Sequence, residues 1–576
     1  MFRLASRRIG LNTIGKRCRF NLTSTKAGTR SSVSPALAFA AGAGIVAAAA
    51  YFATPSKSVA PVDTRSTLPL DLCPSPVYAT KAEVDQAIEE IKNMFIHDTP
   101  IKVIDMLLVV NDTQEELDSH SDTYFNSHHA APDERPYYVV YPRLTEETLA
   151  VMKICHKYKV PVVPTSGRLS LEGHFIPTRG GISLDLSTMD EVIQLNKTDL
   201  DVTVQAGMGW ETLADYLEEY NLFYSIDPGP GATVLGCLAN NASGTNALRY
   251  GEAYKNVINL TVVLADGTVV KTKQRPRKLS AGYNLNNLFV GSEGTLGIIT
   301  EATVKLHVKP AIELVVVVPF PLIKDCANAV NEIVLSGIQL NAIEMLDDKM
   351  MHVINALGET LRKWAEHPTL FLKIGGPNHP AVDAITDQVQ QITKNNHSFD
   401  FEYAKLAQEK TELWLARKVA LWSTINQGKE IDPDMQLWTT DAAVPISKLP
   451  EFLTETKADI DAHGLSNTLV AHIGDGNAHS FIIFTPDQRE VAEKVVNRMV
   501  KRAIDMEGTC TGEHGVGFGK RDYLLEEVGE NLVDVMRKVK FALDPLRILN
   551  PDKVFKSDPN ERPQYHGGLV DTTKRA

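Results

Sequence analysis

The most informative part of this chain of 576 residues reads Asp227-Pro228-Gly229-Pro230-Gly231-Ala232-Thr233-Val234-Leu235-Gly236, followed after three residues by Asn240-Asn241-Ala242-Ser243-Gly244-Thr245. Two loops of small residues so close together, separated by a short apolar piece, are hard to explain as core packing. Small residues let a flat, phosphorylated molecule approach the backbone. This is not a Rossmann fingerprint, because no G-x-G-x-x-G lies between a strand and a helix with an acid downstream. The stretch therefore predicts a cofactor site of another architecture.

Two further loops of small residues flank this stretch. The first, Pro164 to His174, follows a strand at Tyr137–Pro142, a helix that opens with Thr145 as N-cap, and a second strand at Val160–Pro164. Its small residues can expose successive backbone N–H groups to an anion, although alone this signal is weak. The other loop, Gly291 to Thr300, leads into a strand. The first half of the chain thus contains three regions of Gly-rich, small-residue loops.

A histidine pair marks the second half of the chain. Thr468–Ile473 and Ala478–Phe484 are predicted strands joined by the turn Gly474-Asp475-Gly476-Asn477. Such a hairpin places His472 and His479 across from each other, with Cβ atoms about 5 Å apart. Two histidines and one carboxylate with an open position form a catalytic metal site. Glu513, between Gly512 and His514, is the natural third ligand; the alternative is two ordinary strand histidines and a solvated loop.

The composition limits the class of function. The net charge of −12 argues against nucleic acid as a partner. The six cysteines are scattered and form no C-x-x-C, so an iron–sulfur cluster, a zinc ribbon and a c-type haem are not indicated. Electrons from any redox cofactor must then leave to an external acceptor.

The N-terminus resembles a targeting segment. No acidic residue precedes Asp63, and residues 1–30 mix arginines with Ser, Thr and apolar residues, as in a mitochondrial presequence. A disordered basic tail is the alternative. Residues 35–53 are apolar and close to the length of about 20 residues that spans a membrane, so one anchor is predicted, with a cleaved sorting segment as the alternative. Residues 54–76 form a Pro/Ser/Thr linker.

The remaining chain divides near Lys309-Pro310, where its character changes. We expect one domain over 137–310, a mixed strand-and-helix domain over 311–555 and a polar tail over 557–576. The segment from Asp118 to Pro136 is polar and irregular, and its three histidines are expected to be solvated: His120, His128 and His129.

The ordered set of loops, the His-x6-His pair and Gly512-Glu513-His514-Gly515 together resemble a known family over about Tyr137 to Phe555. The first half resembles the FAD-binding domain of the vanillyl-alcohol-oxidase (PCMH) type, and the second resembles the C-terminal domain of FAD-linked 2-hydroxyacid dehydrogenases. The resemblance implies an α+β fold: a two-part PCMH-type FAD-binding domain, then a substrate (cap) domain of antiparallel sheet and helices.

The resemblance also implies non-covalent FAD, held by Ser166, Gly167, Ser170, Leu171, Pro228, Gly229, Gly231, Ser243, Gly244, Glu293, Gly294, Ile299 and Asn550. One feature departs from the family, which usually has a second Gly and a Thr where this chain has Arg168 and Leu169. Arg168 either crowds the phosphates or pairs with them.

The activity implied by the resemblance is oxidation of D-lactate to pyruvate, with hydride transfer to FAD and electrons passed to cytochrome c. Arg417 matches the family's carboxylate-binding arginine, although the sequence alone favours a surface Arg on a helix. A divalent metal, zinc or manganese, on His472, His479 and Glu513 would acidify the hydroxyl, and His514 would be the base. The implied location is the mitochondrial inner membrane, facing the intermembrane space.

Other functions remain open from the sequence. Leu421 stands where hydroxyglutarate enzymes of the family carry a hydroxyl side chain, and Trp414, Trp422 and Trp438 are candidates to close a small pocket; both features favour lactate. Dehydrogenation of D-2-hydroxyglutarate or glycolate is the alternative within the family. A flavin enzyme without net redox and a membrane-tethered, non-catalytic flavin-fold binding protein are the others.

Overall fold

The structure, a computed structural model, describes residues 64–97, 106–358, 360–404 and 406–567. The predicted presequence and membrane anchor lie outside the described residues, as do residues 54–63 of the linker and 568–576 of the tail. Within the described part, no helix combines the length and the apolar character needed to cross a membrane. The fold below belongs to the compact unit that starts at Ser66.

The helices and strands follow one another in two blocks. The helices of the described residues are α1 (Lys81–His97), α2 (Gln114–Ser119), α3 (Thr145–Tyr158), α4 (Trp210–Glu218), α5 (Val234–Asn240), α6 (Ala247–Tyr250), α7 (Ala253–Asn256), α8 (Asn286–Phe289), α9 (Ile323–Leu335), α10 (Asp348–Leu357), α11 (His379–Asn395), α12 (Ala407–Ile431), α13 (Leu449–Ala462), α14 (Arg489–Asp505) and α15 (Arg521–Leu543, bent at Gly529). The strands are β1 (Val110–Asn111), β2 (Tyr138–Val140), β3 (Val162–Thr165), β4 (Ile182–Asp185), β5 (Val192–Asn196), β6 (Asp201–Gln205), β7 (Leu222–Phe223), β8 (Val257–Val263), β9 (Val269–Lys271), β10 (Ile298–Lys305), β11 (His307–Val308), β12 (Ile312–Pro319), β13 (Ala342–Leu346), β14 (Thr369–Gly376), β15 (Glu402–Ala404), β16 (Gln436–Thr439), β17 (Ala442–Ala443), β18 (Ser466–His472) and β19 (Asn477–Phe484).

The first block contains two main sheets around one core. In the order β1-β2-β4-β3, strand β4 runs parallel to β2 and β3. The second sheet, β5-β6-β10-β8-β9, is antiparallel throughout. The apolar strand β8 is buried because helices α3 and α8 pack against it. The two sheets confirm the predicted two-part domain, and α1 and β1 belong to the same core upstream of Tyr137.

The second block is one antiparallel sheet in the order β15-β12-β14-β13-β18-β19-β16, with β17 pairing to β19. Alternate residues of β13 face opposite sides: Ile343 and Met345 join the core with α9, α11 and α13, whereas Ala342 and Leu346 join the core with α10 and α12. Successive side chains of a strand point to opposite faces, and here each face packs against its own apolar core. Strand β13 is therefore buried on both faces. This arrangement confirms the predicted α+β class.

The segment from Asp118 to Pro136 differs most from its prediction as a solvated, irregular loop. His120, His128 and His129 were predicted to be solvated and are buried. His120 bonds Asp185 Oδ2 at 2.8 Å and His129 lies 3.1 Å from Asp122 Oδ2. These partners offset the cost of burying polar rings, which is large when they are unpaired. Residues 120–130, here called the strap, therefore belong to the folded body.

One smaller expectation also changes. Thr145 is the first residue of α3, and the N-cap is Leu144. The Thr145 hydroxyl donates to Thr300 Oγ1 at 2.9 Å. The described part of the predicted tail is also held in place, because Glu561 pairs with Arg521 at 3.0 Å.

Candidate active site

Almost all of the predicted site residues line a single cavity of about 640 Å³. Of the predicted FAD-binding residues, those that line it are Ser166, Gly167, Ser170, Leu171, Pro228, Gly229, Ser243, Gly244, Glu293, Gly294, Ile299 and Asn550. The same wall contains the predicted chemical groups Arg417, His472, His479, Glu513 and His514. The fold thus brings the loops of the first block against one face of the second sheet.

Gly231 is the predicted FAD residue that does not line this cavity. It has a φ of 84°, and its N–H donates to Glu211 Oε2 at 3.1 Å. A Cβ on Gly167 would lie 3.1 Å from the Gly231 carbonyl oxygen, which is tighter than ordinary contact. Gly167 therefore lets the first loop approach the backbone of the second loop at Gly231.

A hydroxyl pair joins the same two loops. Ser166 Oγ and Thr233 Oγ1 are 2.6 Å apart, and the Thr233 side chain also caps α5 by accepting from Gly236 N. Arg168, which departs from the family, adopts a φ of 54°. Its guanidinium lies 2.9 Å from the ring nitrogens of His120 and donates to Ser119 Oγ. The strap thus provides contacts for the unusual side chain.

The histidine pair sits on the β18–β19 hairpin, with a register that differs from the prediction. His472 pairs with Asn477, and His479 with Val470, so the two histidines are diagonal neighbours and not directly opposite. They still share a face, and their ring centroids are 5.4 Å apart. Glu513 Oε1 lies 3.0 Å from His472 Nε2 and 3.0 Å from His479 Nε2. The three predicted ligand atoms therefore converge.

Neighbouring groups orient both imidazoles. His472 Nδ1 lies 2.8 Å from Glu344 Oε1, and His479 Nδ1 lies 3.0 Å from the Thr440 carbonyl oxygen. These acceptors can each take a proton from Nδ1, and each Nε2 then faces Glu513. Such outer partners orient histidine ligands in metal sites. Ser243 completes the arrangement by donating to Glu513 Oε2 at 2.6 Å.

The loop that carries Glu513 and His514 is held by Asp441. Asp441 Oδ2 accepts from the backbone N–H groups of Gly512, Glu513 and His514 at 2.8, 3.0 and 2.9 Å. Burial opposes its charge, but His514 and Lys520 lower the pKa of the Asp441 carboxyl below its usual value. A buried carboxylate thus fixes the loop in one geometry.

The charges of the centre favour a cation. Burial raises the pKa of Glu513, but His472 and His479 lower it well below the usual value. Burial also lowers the pKa of His472, whereas Glu344 and Glu513 raise it well above the usual value. Glu344 and Glu513 thus stabilise positive charge at the His472 imidazole.

His514 lies beside this centre, and its pKa is shifted in the opposite direction to that of His472. Its ring stacks on His479 with a centroid distance of 4.8 Å and an interplanar angle of 15°. Burial lowers the pKa of His514 to about 4. The imidazole is therefore neutral near neutral pH, the form in which it can accept a proton.

Arg417 on α12 reaches the same centre. Its Nε donates to Glu344 Oε2 at 2.8 Å, while the other oxygen of Glu344 holds His472. Leu421, Trp414 and Trp422 also line the cavity. Trp438 does not, because it packs against Phe484 and the strap residue His128. Of the three predicted tryptophans, two thus face the cavity.

Comparison with known proteins agrees with this arrangement. The family model described as "FAD binding domain" matches residues 136–273, and the one described as "FAD linked oxidases, C-terminal domain" matches residues 309–554. The chain belongs to the FAD-linked oxidase family.

Relatives in two yeasts are similar over most of their length. This FAD-linked oxidase is 55% identical to "D-lactate dehydrogenase [cytochrome], mitochondrial" of Kluyveromyces lactis, over 84% of this chain and 84% of that protein. It is 53% identical to "D-lactate dehydrogenase [cytochrome] 1, mitochondrial" of Saccharomyces cerevisiae, over 88% and 85%. A structure of 4-ethylphenol oxidase from Gulosibacter chungangensis shares the fold, with a TM-score of 0.68, 17% identity and coverage of 85% of this chain and 100% of that one.

The cavity of this FAD-linked oxidase suits FAD. Thr165 Oγ1 and Asn550 Oδ1 are buried and have no hydrogen-bond partner among the described residues. A Cβ built on Gly229 would meet nothing within 4 Å, so this glycine opens the wall of the cavity. Unpaired buried polar atoms cost free energy unless a ligand satisfies them. The two orphaned atoms and the open glycine are therefore the features expected of a bound polar cofactor.

The donor set also suits a divalent metal. The three ligand atoms of His472, His479 and Glu513 lie within 4.8 Å of one another. Ligands of a tetrahedral zinc ion are about 3.3 Å apart, given bonds of about 2.0–2.1 Å. Two imidazoles and a carboxylate are ligands that zinc and manganese accept.

Sequence reasoning missed the residues that support this centre. Glu344 and Asp441 lie 128 and 72 residues from the groups that they hold, His472 and Glu513. Glu344 lies in β13 and Asp441 in the short connection between β16 and β17, and neither belongs to a sequence motif. Glu293 was predicted to bind FAD and lines the cavity, and its carboxylate also accepts from Val516 N at 2.7 Å and from Gly517 N at 2.8 Å. Its side chain thus fastens the Glu513 loop to the FAD-binding domain.

Proposed function

We propose that this FAD-linked oxidase oxidises D-lactate to pyruvate and passes the electrons to cytochrome c. The proposal rests chiefly on one observation: Glu344 joins Arg417 to His472, in a cavity that is also lined by the three loops of the FAD-binding domain. A 2-hydroxyacid needs a cation for its carboxylate and a polarising centre for its hydroxyl. Both yeast relatives are named D-lactate dehydrogenase [cytochrome], which supports this substrate and acceptor.

Arg417 is the group that would bind the substrate carboxylate. Its side chain is only 20% exposed, and Glu344 fixes the guanidinium through Nε. A guanidinium can offer two parallel N–H groups to a carboxylate. The substrate would then be oriented with its hydroxyl toward the paired histidines on β18 and β19.

His514 would accept the hydroxyl proton. Its imidazole is neutral near neutral pH, and Asp441 fixes the backbone that carries it. When bound, FAD supplies the two-electron acceptor for the hydrogen on the carbinol carbon. A divalent ion held by His472, His479 and Glu513 would supply positive charge near the substrate oxygens.

The wall beside Arg417 favours a small substrate. Leu421 lines the cavity one helical turn after Arg417, and Trp414 lines it one turn before. A longer substrate with a second carboxylate needs a hydroxyl donor or another cation, and an apolar side chain at Leu421 offers neither. This feature favours lactate over 2-hydroxyglutarate.

Anaerobic mixing tests the reaction directly. The purified protein is mixed with D-lactate, L-lactate, D-2-hydroxyglutarate or glycolate, and the flavin absorbance is followed. We expect fast bleaching with D-lactate, followed by reoxidation when cytochrome c is added. Faster flavin bleaching by one of the other acids would make that acid the preferred substrate. A colourless protein would favour a non-catalytic binding role.

The cellular location is part of the proposal. We infer attachment to the mitochondrial inner membrane through residues 35–53, with the catalytic part in the intermembrane space; both yeast relatives are named mitochondrial. Carbonate extraction of mitochondria should leave the protein in the membrane pellet. Protease added after rupture of the outer membrane should digest it, whereas protection would place it in the matrix.

A further inference from the structure

A positively charged loop interrupts the acidic surface of this chain. The sequence has no Asp or Glu from Gly267 to Ser292, yet five cations fall between Lys271 and Lys278. The chain as a whole carries a net charge of −12. These cations lie at the end of the edge strand β9 and in the connection to α8. Residues 271–285 are called the basic loop below.

Most of these charges have no carboxylate partner. Arg275 pairs with Asp199 and Asp201, but Lys271, Lys273, Arg277 and Lys278 have no ion pair within the part of the chain that the structure describes. Arg277 instead donates to the backbone carbonyls of Asp199 and Leu200, at 2.9 and 3.1 Å. These bonds hold the loop against the β5–β6 turn, so the cations without a carboxylate partner are presented on a fixed support.

The surrounding residues respond to this charge. Burial, followed by the charges of Arg277 and Lys273, lowers the pKa of Lys305 on β10. Burial lowers the pKa of His307 to about 4, with help from Arg277, Lys305 and Arg249. The charge of Arg277 therefore reaches Lys305 on β10 and His307 on β11.

The basic loop also exposes apolar side chains. Tyr283 is 93% exposed, Leu279 46% and Leu285 36%. Gly282, with a φ of 80°, turns the chain just before Tyr283. Large apolar groups next to unpaired cations suit the interface of an anionic membrane, where aromatic rings sit at headgroup level and lysines contact the lipid phosphates.

We propose that the basic loop docks on an anionic phospholipid surface. Charge complementarity favours an anionic lipid surface as the partner, because each lysine or arginine near such a surface strengthens binding by about fivefold. The same charge would repel cytochrome c, which is itself basic, so electrons would leave from another face. Docking at the loop does not depend on the identity of the substrate.

A probe at the tip of the loop tests contact directly. The full-length chain with Tyr283→Cys and Cys18→Ser is labelled with an environment-sensitive fluorophore; the other cysteines, Cys73, Cys155, Cys237, Cys326 and Cys510, are buried. Vesicles of phosphatidylcholine with phosphatidylglycerol should shift the emission to the blue, whereas pure phosphatidylcholine should not. Leu335→Cys, at a site 87% exposed on α9, is the matched control and should not respond.

Charge substitutions supply the second measurement. Lys271→Gln, Lys273→Gln and Lys278→Gln together should weaken the vesicle response of the fluorophore at position 283 by at least about tenfold. The control Lys324→Gln, Lys363→Gln and Lys394→Gln removes the same charge from another surface and should leave the response unchanged. Equal loss in both variants, or no shift with anionic vesicles, would overturn the proposal. If the emission shifted with polyglutamate but not with vesicles, the partner of the basic loop would be an acidic protein and not a membrane.

Discussion

Glu344 is the single residue on which most of the active-site geometry depends. Its two carboxylate oxygens hold different groups, His472 through Oε1 and Arg417 through Oε2, and its side chain is only 1% exposed. Burial opposes its charge, but His472 and Arg417 lower the pKa of its carboxyl. One carboxylate thus sets the distance between a proposed metal ligand and the proposed substrate-binding cation.

Glu344→Gln tests this role. The amide keeps the size of the side chain but can accept through only one oxygen, so either His472 or Arg417 loses its partner. We expect kcat/KM for D-lactate to fall by about 10–100-fold, with a higher KM and less bound metal. Steady-state kinetics and metal analysis measure both effects. The control Glu366→Gln changes an exposed carboxylate that bonds His352 and should be neutral; normal metal content and KM in Glu344→Gln would contradict the assignment.

Asp441 makes a second prediction at this scale. Asp441→Asn removes the charge that three successive N–H groups of the Glu513 loop share. Hydrogen bonds to a charged group contribute about 1.5–3 kcal/mol each. We expect lower metal retention and a lower kcat, while FAD content stays normal because the FAD loops do not touch this carboxylate. Asp434→Asn, on the surface, is the control; loss of FAD together with the metal would indicate general misfolding instead.

Leu421 sets the proposed substrate preference. Leu421→Thr adds a hydroxyl to the cavity wall one turn from Arg417, where the second carboxylate of a longer substrate would lie. We expect the ratio of kcat/KM for D-2-hydroxyglutarate to that for D-lactate to rise about tenfold, since a hydrogen bond to a charged group contributes about 1.5–3 kcal/mol. Val419→Thr, on the same helix, serves as the control. An unchanged ratio of kcat/KM values would refute the assignment of Leu421.

At the scale of elements, the sequence predicts structure formed by neighbouring residues better than the pairing of strands that are far apart in the chain. The β18–β19 hairpin was predictable, because its turn and its alternating strands lie close together in the chain, from Ser466 to Phe484. Its register was not, since the turn pairs His472 with Asn477 and the histidines meet on a diagonal. The partners in the sheet, Glu344 and Asp441, depend on strand neighbours far apart in the chain, which periodicity does not report.

The strap shows the same limit more strongly. Its polar composition indicated a solvated loop, whereas its residues contact both halves of the molecule. Ser127 N donates to Leu171 O at 2.8 Å, and Phe125 meets Trp422 edge-on at a centroid distance of 5.9 Å. His120 and His128 are buried against residues from distant segments, Asp185 and Trp438, whereas His129 pairs with Asp122 inside the strap. Composition alone does not distinguish a buried polar segment with satisfied hydrogen bonds from a solvated one.

Asn126→Ala tests whether the strap supports the first FAD loop. Asn126 is 1% exposed; its Oδ1 accepts from Gly173 N at 3.3 Å and its Nδ2 donates to Asp122 at 2.7 Å. Removing both bonds should loosen residues 166–173 and weaken FAD binding about tenfold, leaving the metal in place. Fluorescence titration of the apoprotein with FAD measures this. Gln114→Ala, on the exposed helix α2, is the control, and an unchanged FAD affinity would contradict the role of the strap.

At the scale of the whole molecule, the proposed reaction needs both halves to hold a fixed position. Glu293 binds Val516 N and Gly517 N, and the Glu172 carbonyl accepts from Phe518 N and Gly519 N. A Cβ on Gly517 would lie 2.2 Å from the Glu172 carbonyl oxygen, so the close approach requires glycine. The segment that carries Glu513 and His514 is thereby fastened to the FAD-binding domain, next to the cavity.

The charge distribution of the molecule leads to the last prediction. With a net charge of −12, the protein should attract a basic electron acceptor, and such steering raises the rate of encounter at low ionic strength. The rate of cytochrome c reduction under D-lactate should therefore fall steeply as salt rises, because the Debye length shrinks to about 10 Å at about 0.1 M. Reduction of a small uncharged quinone by the same enzyme is the control and should change little. A cytochrome rate that is flat across the salt series would mean that the acceptor does not dock directly on this acidic surface.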